Sequence, residues 1–140
     1  MEDAAEAIRT MRVRGAPLIG ATAAYGLALA LREDNSDGSL EASREMLATT
    51  RPTAVNLVWA LDEMAREVAP LPESERVDAA WACAARICDD DVEISRRIGE
   101  HGLLELQKIA DHKGGEPVNI LTHCNAGWLA TVDWGTALAP

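Results

Sequence analysis

The sequence contains no phenylalanine, one tyrosine and only four tryptophans, so aromatic side chains contribute little to its apolar bulk. Alanine is abundant instead and supplies 25 of the 140 residues. Alanine has the highest helix propensity, whereas strands are enriched in aromatic and β-branched residues. The 48% hydrophobic and 26% charged residues are typical of a globular domain and exclude wholesale disorder. We therefore predict a mainly α fold.

Cysteine is also scarce. Cys83, Cys88 and Cys124 are an odd number of thiols, at spacings that suit neither a disulfide framework nor a zinc knuckle. We interpret them as reduced thiols of a cytoplasmic protein, since no signal peptide is visible. We interpret the run Asp89-Asp90-Asp91 as a solvated helix face. No set of metal ligands stands out, and we predict no metal site.

Basic residues are outnumbered, with 13 Lys and Arg against 23 Asp and Glu, which gives a net charge of −10. Such a chain repels phosphate polymers, so we predict no nucleic-acid partner. The longest uncharged run, residues 15–31, is too short and too weakly apolar for a transmembrane helix, and we predict no membrane partner. Arg9, Arg12 and Arg14 nevertheless cluster in one short stretch, where a small anionic ligand is still possible.

Apolar residues recur at helical spacing over most of the chain, so we predict five helices, then one strand and one further helix. Prolines at helix starts and polar breaks set the boundaries. The predicted helices span residues 1–11, 18–31, 39–48, from 52 to before Pro70, and 74–110; the strand spans 118–122 and the last helix 128–138.

The single predicted strand is followed by a tight turn and a helix, which is half of a βαβ unit. A lone strand has unpaired edges on both sides and no sheet to join. We therefore expect the chain to be a fragment, or its strand to pair with something outside this sequence.

Two arginines lie beside predicted helix starts. Arg14 and Gly15 precede a helix with Pro17 in its first turn, and Arg51 precedes Pro52 in the same way. Free N–H groups and the positive dipole end of a helix attract anions, and an arginine can hold phosphate oxygens in a bidentate manner. The simpler interpretation, a helix–helix turn with a solvated arginine, stays open at both places.

Cys124 lies between the predicted strand and the following helix start, the position at which α/β proteins bind ligands. A thiol there can act as a nucleophile or as a hydrogen-bond donor. The alternative is a small buried apolar residue. Cys83 and Cys88 fall within a predicted helix, and we interpret them as core or helix-surface residues.

Three ordered segments, taken together, resemble one family, methylthioribose-1-phosphate isomerase, an enzyme of methionine salvage related to the regulatory subunits of eukaryotic initiation factor 2B. The resemblance covers nearly the whole chain. Its segments are Arg14-Gly15-Ala16-Pro17-Leu18-Ile19-Gly20, Arg51-Pro52-Thr53-Ala54-Val55-Asn56-Leu57 and Thr122-His123-Cys124-Asn125-Ala126-Gly127, followed by Leu129-Ala130-Thr131 and Gly135-Thr136-Ala137-Leu138.

The resemblance implies an aldose–ketose isomerase that converts 5-methylthioribose 1-phosphate into 5-methylthioribulose 1-phosphate without a metal or organic cofactor. Arg14, Gly15, Ala16 and Arg51 match the substrate-binding positions of the family. Cys124 matches the cysteine assigned to catalysis or to transition-state stabilisation. The resemblance also implies a sugar-phosphate substrate and a homodimer.

The family is well over twice as long as this chain, so the resemblance implies an amino-terminal and middle portion only. Residues 1–112 would form a helical domain, and residues 113–140 would form the first strand-turn-helix of a truncated Rossmann-like α/β domain. The family's catalytic aspartate would lie downstream, and Asp133 is in the wrong motif to replace it.

Two other functions remain open. The same chain could be a non-catalytic interaction or sugar-phosphate-sensing module, as the initiation-factor relatives suggest. It could also belong to an isomerase of another sugar 1-phosphate, such as ribose 1,5-bisphosphate.

Overall fold

Five α-helices account for most of the chain in a computed structural model, which describes all 140 residues. No strand is present, so the prediction of a mainly α fold is confirmed. None of the helices is both long enough and apolar enough to cross a membrane. The elements are α1 (Glu2–Arg9), α2 (Ala16–Glu33), α3 (Asp37–Ala48), α4 (Val55–Val68), α5 (Glu73–Lys113) and a short 3₁₀ turn, Gly127–Leu129.

Helix α2 lies at the centre and packs against each of the other four α-helices. Its many small side chains, among them Gly20, Ala24 and Ala28, allow this. A methyl group at Gly20 would lie 2.8 Å from the carbonyl oxygen of Asn56, so the backbones of α2 and α4 come close together there. Leucine and methionine side chains supply much of the bulk of the core. The fully buried ones include Leu27, Leu31, Leu57, Leu61 and Met64.

Helix α5 is one continuous helix of 41 residues, longer than predicted by a few residues at its end. It ends at Gly114, whose left-handed conformation, with φ 60°, is the usual helix stop. Its first half packs on α2 and α4, and its buried residues extend as far as Gly99. Apolar side chains farther along, such as Leu103 and Leu104, are exposed.

The predicted strand at 118–122 is not formed. No backbone group of these residues makes a hydrogen bond within the chain, because the chain offers no neighbouring strand to pair with. Leu121 is 99% exposed. The predicted helix at 128–138 is also wrong. Trp134 and Gly135 have φ angles of 68° and 107°, which a right-handed helix does not permit.

A buried arginine joins the two loops at one end of the bundle. The Arg76 side chain donates to the carbonyl oxygens of Leu71 at 3.0 Å, Asn35 at 2.9 Å and Ala69 at 3.3 Å, and to the Asp37 carboxylate at 2.6 Å. The guanidinium therefore binds the α2–α3 loop to the α4–α5 loop. Its burial was not evident from the sequence, where Arg76 is one of many charges near a helix start.

We expect Arg76→Met to lower the free energy of unfolding by about 3 kcal/mol, because it removes the donor that three carbonyl groups from two loops share. Urea unfolding followed by far-UV circular dichroism measures this. Asp37→Ala is the matched control. The Asp37 side chain is 85% exposed, and in its absence Arg76 keeps its three carbonyl acceptors, so Asp37→Ala should cost less than Arg76→Met. Equal effects of the two substitutions would contradict the central role of Arg76.

Candidate functional site

A cavity of about 510 Å³ opens where the N-terminal ends of α2 and α4 face the segment around Cys124. Arg14, Ala16, Arg51 and Cys124, four of the five residues predicted from the sequence, line it together. They come from three parts of the chain that only the fold brings together. Gly15, the fifth residue, is buried behind the cavity wall.

Gly15 supports the site from behind. A methyl group at this position would lie 1.9 Å from the Cα atom of Ala130, so only glycine allows the two backbones to touch. The Ala130 carbonyl oxygen also accepts the N–H of Leu18 at 3.1 Å. This contact holds the segment after Cys124 against the first turn of α2.

The first turn of α2 therefore offers fewer free donors than the sequence predicts. Leu18 donates to Ala130, and Pro17 has no N–H group. Ala16 lines the cavity, and its N–H has no acceptor in the protein. An anion bound here would meet one backbone N–H together with the arginine side chains.

The two arginines of the cavity carry no ion pair. Seven of the eleven arginines in this acidic chain pair with a carboxylate, but Arg14 and Arg51 do not. The Nη1 atom of Arg51 is buried without a hydrogen-bond partner. Such a group loses its hydration and gains nothing in return unless an anion accepts from it. These arginines can therefore bind a phosphate without breaking an existing contact.

Arg51 lies in a turn and not at the first residue of α4. The Ala54 N–H donates to the Arg51 carbonyl at 3.0 Å, and α4 begins three residues later than predicted, at Val55. The prediction that Pro52 starts this helix is therefore wrong, because residues 52 and 53 belong to the turn.

Cys124 is exposed and has a φ angle of 69°, an uncommon conformation for a residue other than glycine. The side-chain amide of the next residue, Asn125, donates to the Arg14 carbonyl oxygen at 3.1 Å. This bond links the thiol-bearing loop directly to the arginine loop. Asn125 was not among the site residues predicted from the sequence.

The other two thiols are placed as predicted. Cys83 is buried in the core, where loss of hydration raises its pKa to about 11. Cys88 is half-buried, and burial raises its pKa as well. Thiolates form reluctantly at both positions, so neither matches the exposed thiol at the cavity.

Asp91 contradicts the interpretation of the acidic run as a solvated face. Its carboxylate accepts the Val132 N–H at 2.8 Å, and burial raises its pKa. Asp89 and Asp90 are exposed, as predicted. The signal was present in the sequence, because Asp91 follows the buried Ile87 by one helical turn.

A second cavity, of about 360 Å³, adjoins the first and shares Pro17, Val55 and Asn56 with it. Its remaining apolar lining comes from Trp59, Ile87 and Ile94, and Asp90 and Asp91 line it as well. Nowhere in the chain do three His, Cys, Asp or Glu side chains gather closely enough to hold a metal ion.

The sequence matches the model of the initiation factor 2 subunit family over residues 12–134. The chain belongs to this family. Its curated relatives include a methylthioribose-1-phosphate isomerase from Cereibacter sphaeroides, 65% identical over 136 residues, which are 97% of this chain and 37% of that protein. The one from Methylorubrum populi is 64% identical over 140 residues, 100% of this chain and 38% of that protein.

Two solved structures of similar proteins share the helical framework of this initiation factor 2 subunit family member. The 5-methylthioribose 1-phosphate isomerase from Pyrococcus horikoshii is 42% identical with a TM-score of 0.78, over 99% of this chain and 39% of that one. The translation initiation factor eIF-2B subunit delta from A. fulgidus is 39% identical with a TM-score of 0.80, over 98% and 40%. The chain thus spans well under half the length of these relatives.

For this family member, we expect Gly15→Ala to separate the Ala130 backbone from α2, because the added methyl group has no space. The backbone of Gly15, at φ −89° and ψ 145°, suits alanine, so the effect would be purely steric. Hydrogen exchange of the Leu18 amide should accelerate, and stability should fall by about 1–3 kcal/mol. In Gly38→Ala, the matched control, the methyl group meets no atom within 4 Å. Unchanged Leu18 exchange in Gly15→Ala would contradict the contact.

We expect iodoacetamide to modify Cys124 rapidly in the folded chain, and Cys83 and Cys88 only after unfolding. The reason is that Cys124 is exposed while burial disfavours the thiolate of the other two. Mass spectrometry of peptides over time measures this order. The Cys124→Ser variant should lose the fast phase, and fast labelling of Cys83 would contradict the assignment.

Proposed function

We propose that this chain carries the phosphate-binding and thiol parts of the active site of a methylthioribose-1-phosphate isomerase. The observation that carries the proposal is the meeting of two unpaired arginines and an exposed cysteine in one cavity. The choice of substrate is supported by the relatives at 60–65% identity, which are named methylthioribose-1-phosphate isomerase. The substrate would be 5-methylthioribose 1-phosphate.

The C1 phosphate would bind to the Arg14 and Arg51 guanidinium groups and to the Ala16 N–H. Two arginines at one phosphate give charge-assisted hydrogen bonds that neutralise it and fix its orientation. The bound phosphate would accept a hydrogen bond from the buried Nη1 atom of Arg51. This removes the free-energy cost of leaving that atom without a partner and so adds to the affinity. Gly15 would support the site indirectly, because its backbone packs against Ala130 and so holds the cavity wall in place.

The phosphate on the C1 oxygen blocks the usual opening of the ring to a free aldehyde. The enzyme must therefore open the ring with the phosphate in place before hydrogen moves between C1 and C2. On opening, the ring oxygen takes a proton and C1 becomes electron-poor. The hydrogen on C2 then moves to C1, and the 2-hydroxyl loses its proton as C2 becomes a carbonyl carbon. One hydrogen changes carbon and one proton changes oxygen, so no external oxidant is required.

Cys124 would serve this reaction as a proton carrier at one of the two oxygens that gain or lose a proton, the ring oxygen or the 2-hydroxyl. A donor placed in advance where charge develops stabilises a transition state more than a solvated group does. The Asn125 link to the Arg14 carbonyl would keep the thiol at a constant distance from the bound phosphate. The second acid, an aspartate in the family, would come from residues outside this chain.

The neighbouring apolar cavity would receive the methylthio group on C5. Trp59, Val55 and Ile94 offer a thioether an apolar contact, whereas the Asp90 and Asp91 carboxylates, which also line this cavity, repel a phosphate. This charge disfavours ribose 1,5-bisphosphate as the substrate. The phosphate on C1 and the methylthio group on C5 lie at opposite ends of one ribose. The two cavities are adjacent and share Pro17, Val55 and Asn56, so one sugar could reach both.

We also propose that residues 1–112 form the helical domain of the whole protein and that residues 113–140 open its Rossmann-like domain. The exposed apolar residues Ile120 and Leu121 support this, because a strand at 118–122 would bury them against a sheet. The whole protein would be a cytoplasmic homodimer.

The second candidate function is a non-catalytic initiation-factor-like module. The likeness to the eIF-2B subunit delta favours it. The exposed thiol beside two unpaired arginines is better explained by the isomerase, because a scaffold has no use for it.

Phosphorus NMR of 5-methylthioribose 1-phosphate tests the proposal. We expect the protein extended to the length of its relatives to convert the substrate. In it, Cys124→Ala should lower kcat about 100-fold or more with KM nearly unchanged. Arg51→Ala should raise KM about 10- to 100-fold, the loss of one charge-assisted hydrogen bond.

Cys88→Ala is the matched control, since it removes a half-buried thiol outside the cavity and should leave kcat unchanged. Ribose 1,5-bisphosphate, offered in competition, should be converted far more slowly. Full turnover by Cys124→Ala would remove the thiol from the mechanism. No conversion by the extended protein, together with binding to a translation factor, would favour the second candidate.

A further inference from the structure

Residues 124–136, named here the Cys124 segment, contain only one regular element, the 3₁₀ turn. Cys124, Gly127, Trp134 and Gly135 all have positive φ angles. Glycine adopts such angles freely, but in Cys124 and Trp134 they persist only where surrounding contacts hold them. The position of the thiol therefore depends on the contacts that tie the segment to the helices.

Three hydrogen bonds make these ties. Two reach the region of the α2 N-terminus, from the Asn125 amide to Arg14 and from Leu18 to Ala130. The third joins the Val132 N–H to the Asp91 carboxylate, which belongs to α5 and lies 41 positions away in the sequence. It is the only one of the three that involves a charged side chain and the only one that reaches α5.

The surroundings of this third bond favour a strong interaction. Asp91 and Val132 are both half-buried, and the neighbouring Thr131 is 1% exposed. The Thr131 hydroxyl donates to the Asp133 carbonyl at 3.0 Å, which closes the turn around the Val132 N–H. A charged acceptor in a partly desolvated place forms a stronger hydrogen bond than a neutral, solvated one.

We propose that Asp91 is a positioning residue, which fixes the Cys124 segment to α5 and so holds the thiol opposite the arginines. Its effect on turnover rests on the proposed isomerase function. Without this bond the segment keeps no hydrogen bond to α5, and only Ala139 and Pro140, beyond its end, still pack against Gly99 and Gly102 of that helix. The thiol then loses its fixed distance to the bound sugar phosphate. The arginines belong to other loops and keep their place, so binding is affected less than turnover.

The first test measures amide hydrogen exchange by NMR in the 140-residue chain, where no activity is needed. Asp91→Ala should accelerate exchange of the Val132 amide about tenfold or more. Asp91→Asn should restore protection, because its side-chain oxygen can accept the same N–H. Asp89→Ala is the matched control, since Asp89 is an exposed carboxylate on the same helix without a hydrogen bond, and should change nothing.

The second test measures kinetics in the extended protein. Asp91→Ala should lower kcat about 10- to 100-fold, the usual effect of a displaced catalytic group, and change KM less than about threefold. Asp91→Asn should restore kcat. If the alanine variant does not fold, Asp91→Ser takes its place, with a side chain that is polar but too short to reach Val132.

Unchanged exchange at Val132 in Asp91→Ala would overturn the proposal, and so would equal loss of kcat in the Ala and Asn variants. A change in KM alone would overturn it too, since it would place Asp91 at the substrate and not behind the thiol. If the unmodified protein does not isomerise the sugar, the proposed function fails, while the exchange measurement still decides whether Asp91 holds the segment.

Discussion

Ala130 lies so close to Gly15 that only a hydrogen atom fits between the two backbones, and its carbonyl oxygen accepts the Leu18 N–H. This contact joins the carboxyl-terminal part of the chain to the first turn of the central helix. Around it, Asn125 reaches the Arg14 carbonyl and Asp91 reaches the Val132 N–H. The candidate site exists because these contacts hold an irregular segment against a rigid helical framework.

The electrostatics of the site follow from what the protein leaves unpaired. The chain has ten more acidic than basic residues, and most of its arginines are paired along helix faces or between helices. Arg14 and Arg51 escape this because they lie in loops, where no carboxylate is one helical turn away. A small positive cavity in a negative molecule can bind a small anion while the surface as a whole repels polyanions.

Helix α5 has two parts with different surroundings. Its first half is a wall of the core and supplies Asp91, whereas its second half carries exposed apolar residues such as Leu104 and Ile109. An apolar surface of this kind usually packs against other protein. In the longer enzyme proposed above, the rest of the protein would bury this surface and the unpaired segment at 118–122.

The sequence alone was enough to predict the five α-helices, because alanine content and apolar spacing act locally, but the helix predicted at 128–138 does not form. It also pointed to Arg14, Arg51 and Cys124 as residues to examine. Tertiary structure decided the rest. The 118–122 stretch forms no strand, since strand formation depends on a partner that the local sequence cannot supply. Arg76 donates to the Asn35 carbonyl, and Asp91 accepts the Val132 N–H. The two residues of each pair lie about 40 positions apart, and no local pattern encodes such pairs. Gly15 stays a prediction as a substrate-binding position, and only the fold shows that its close neighbour is Ala130.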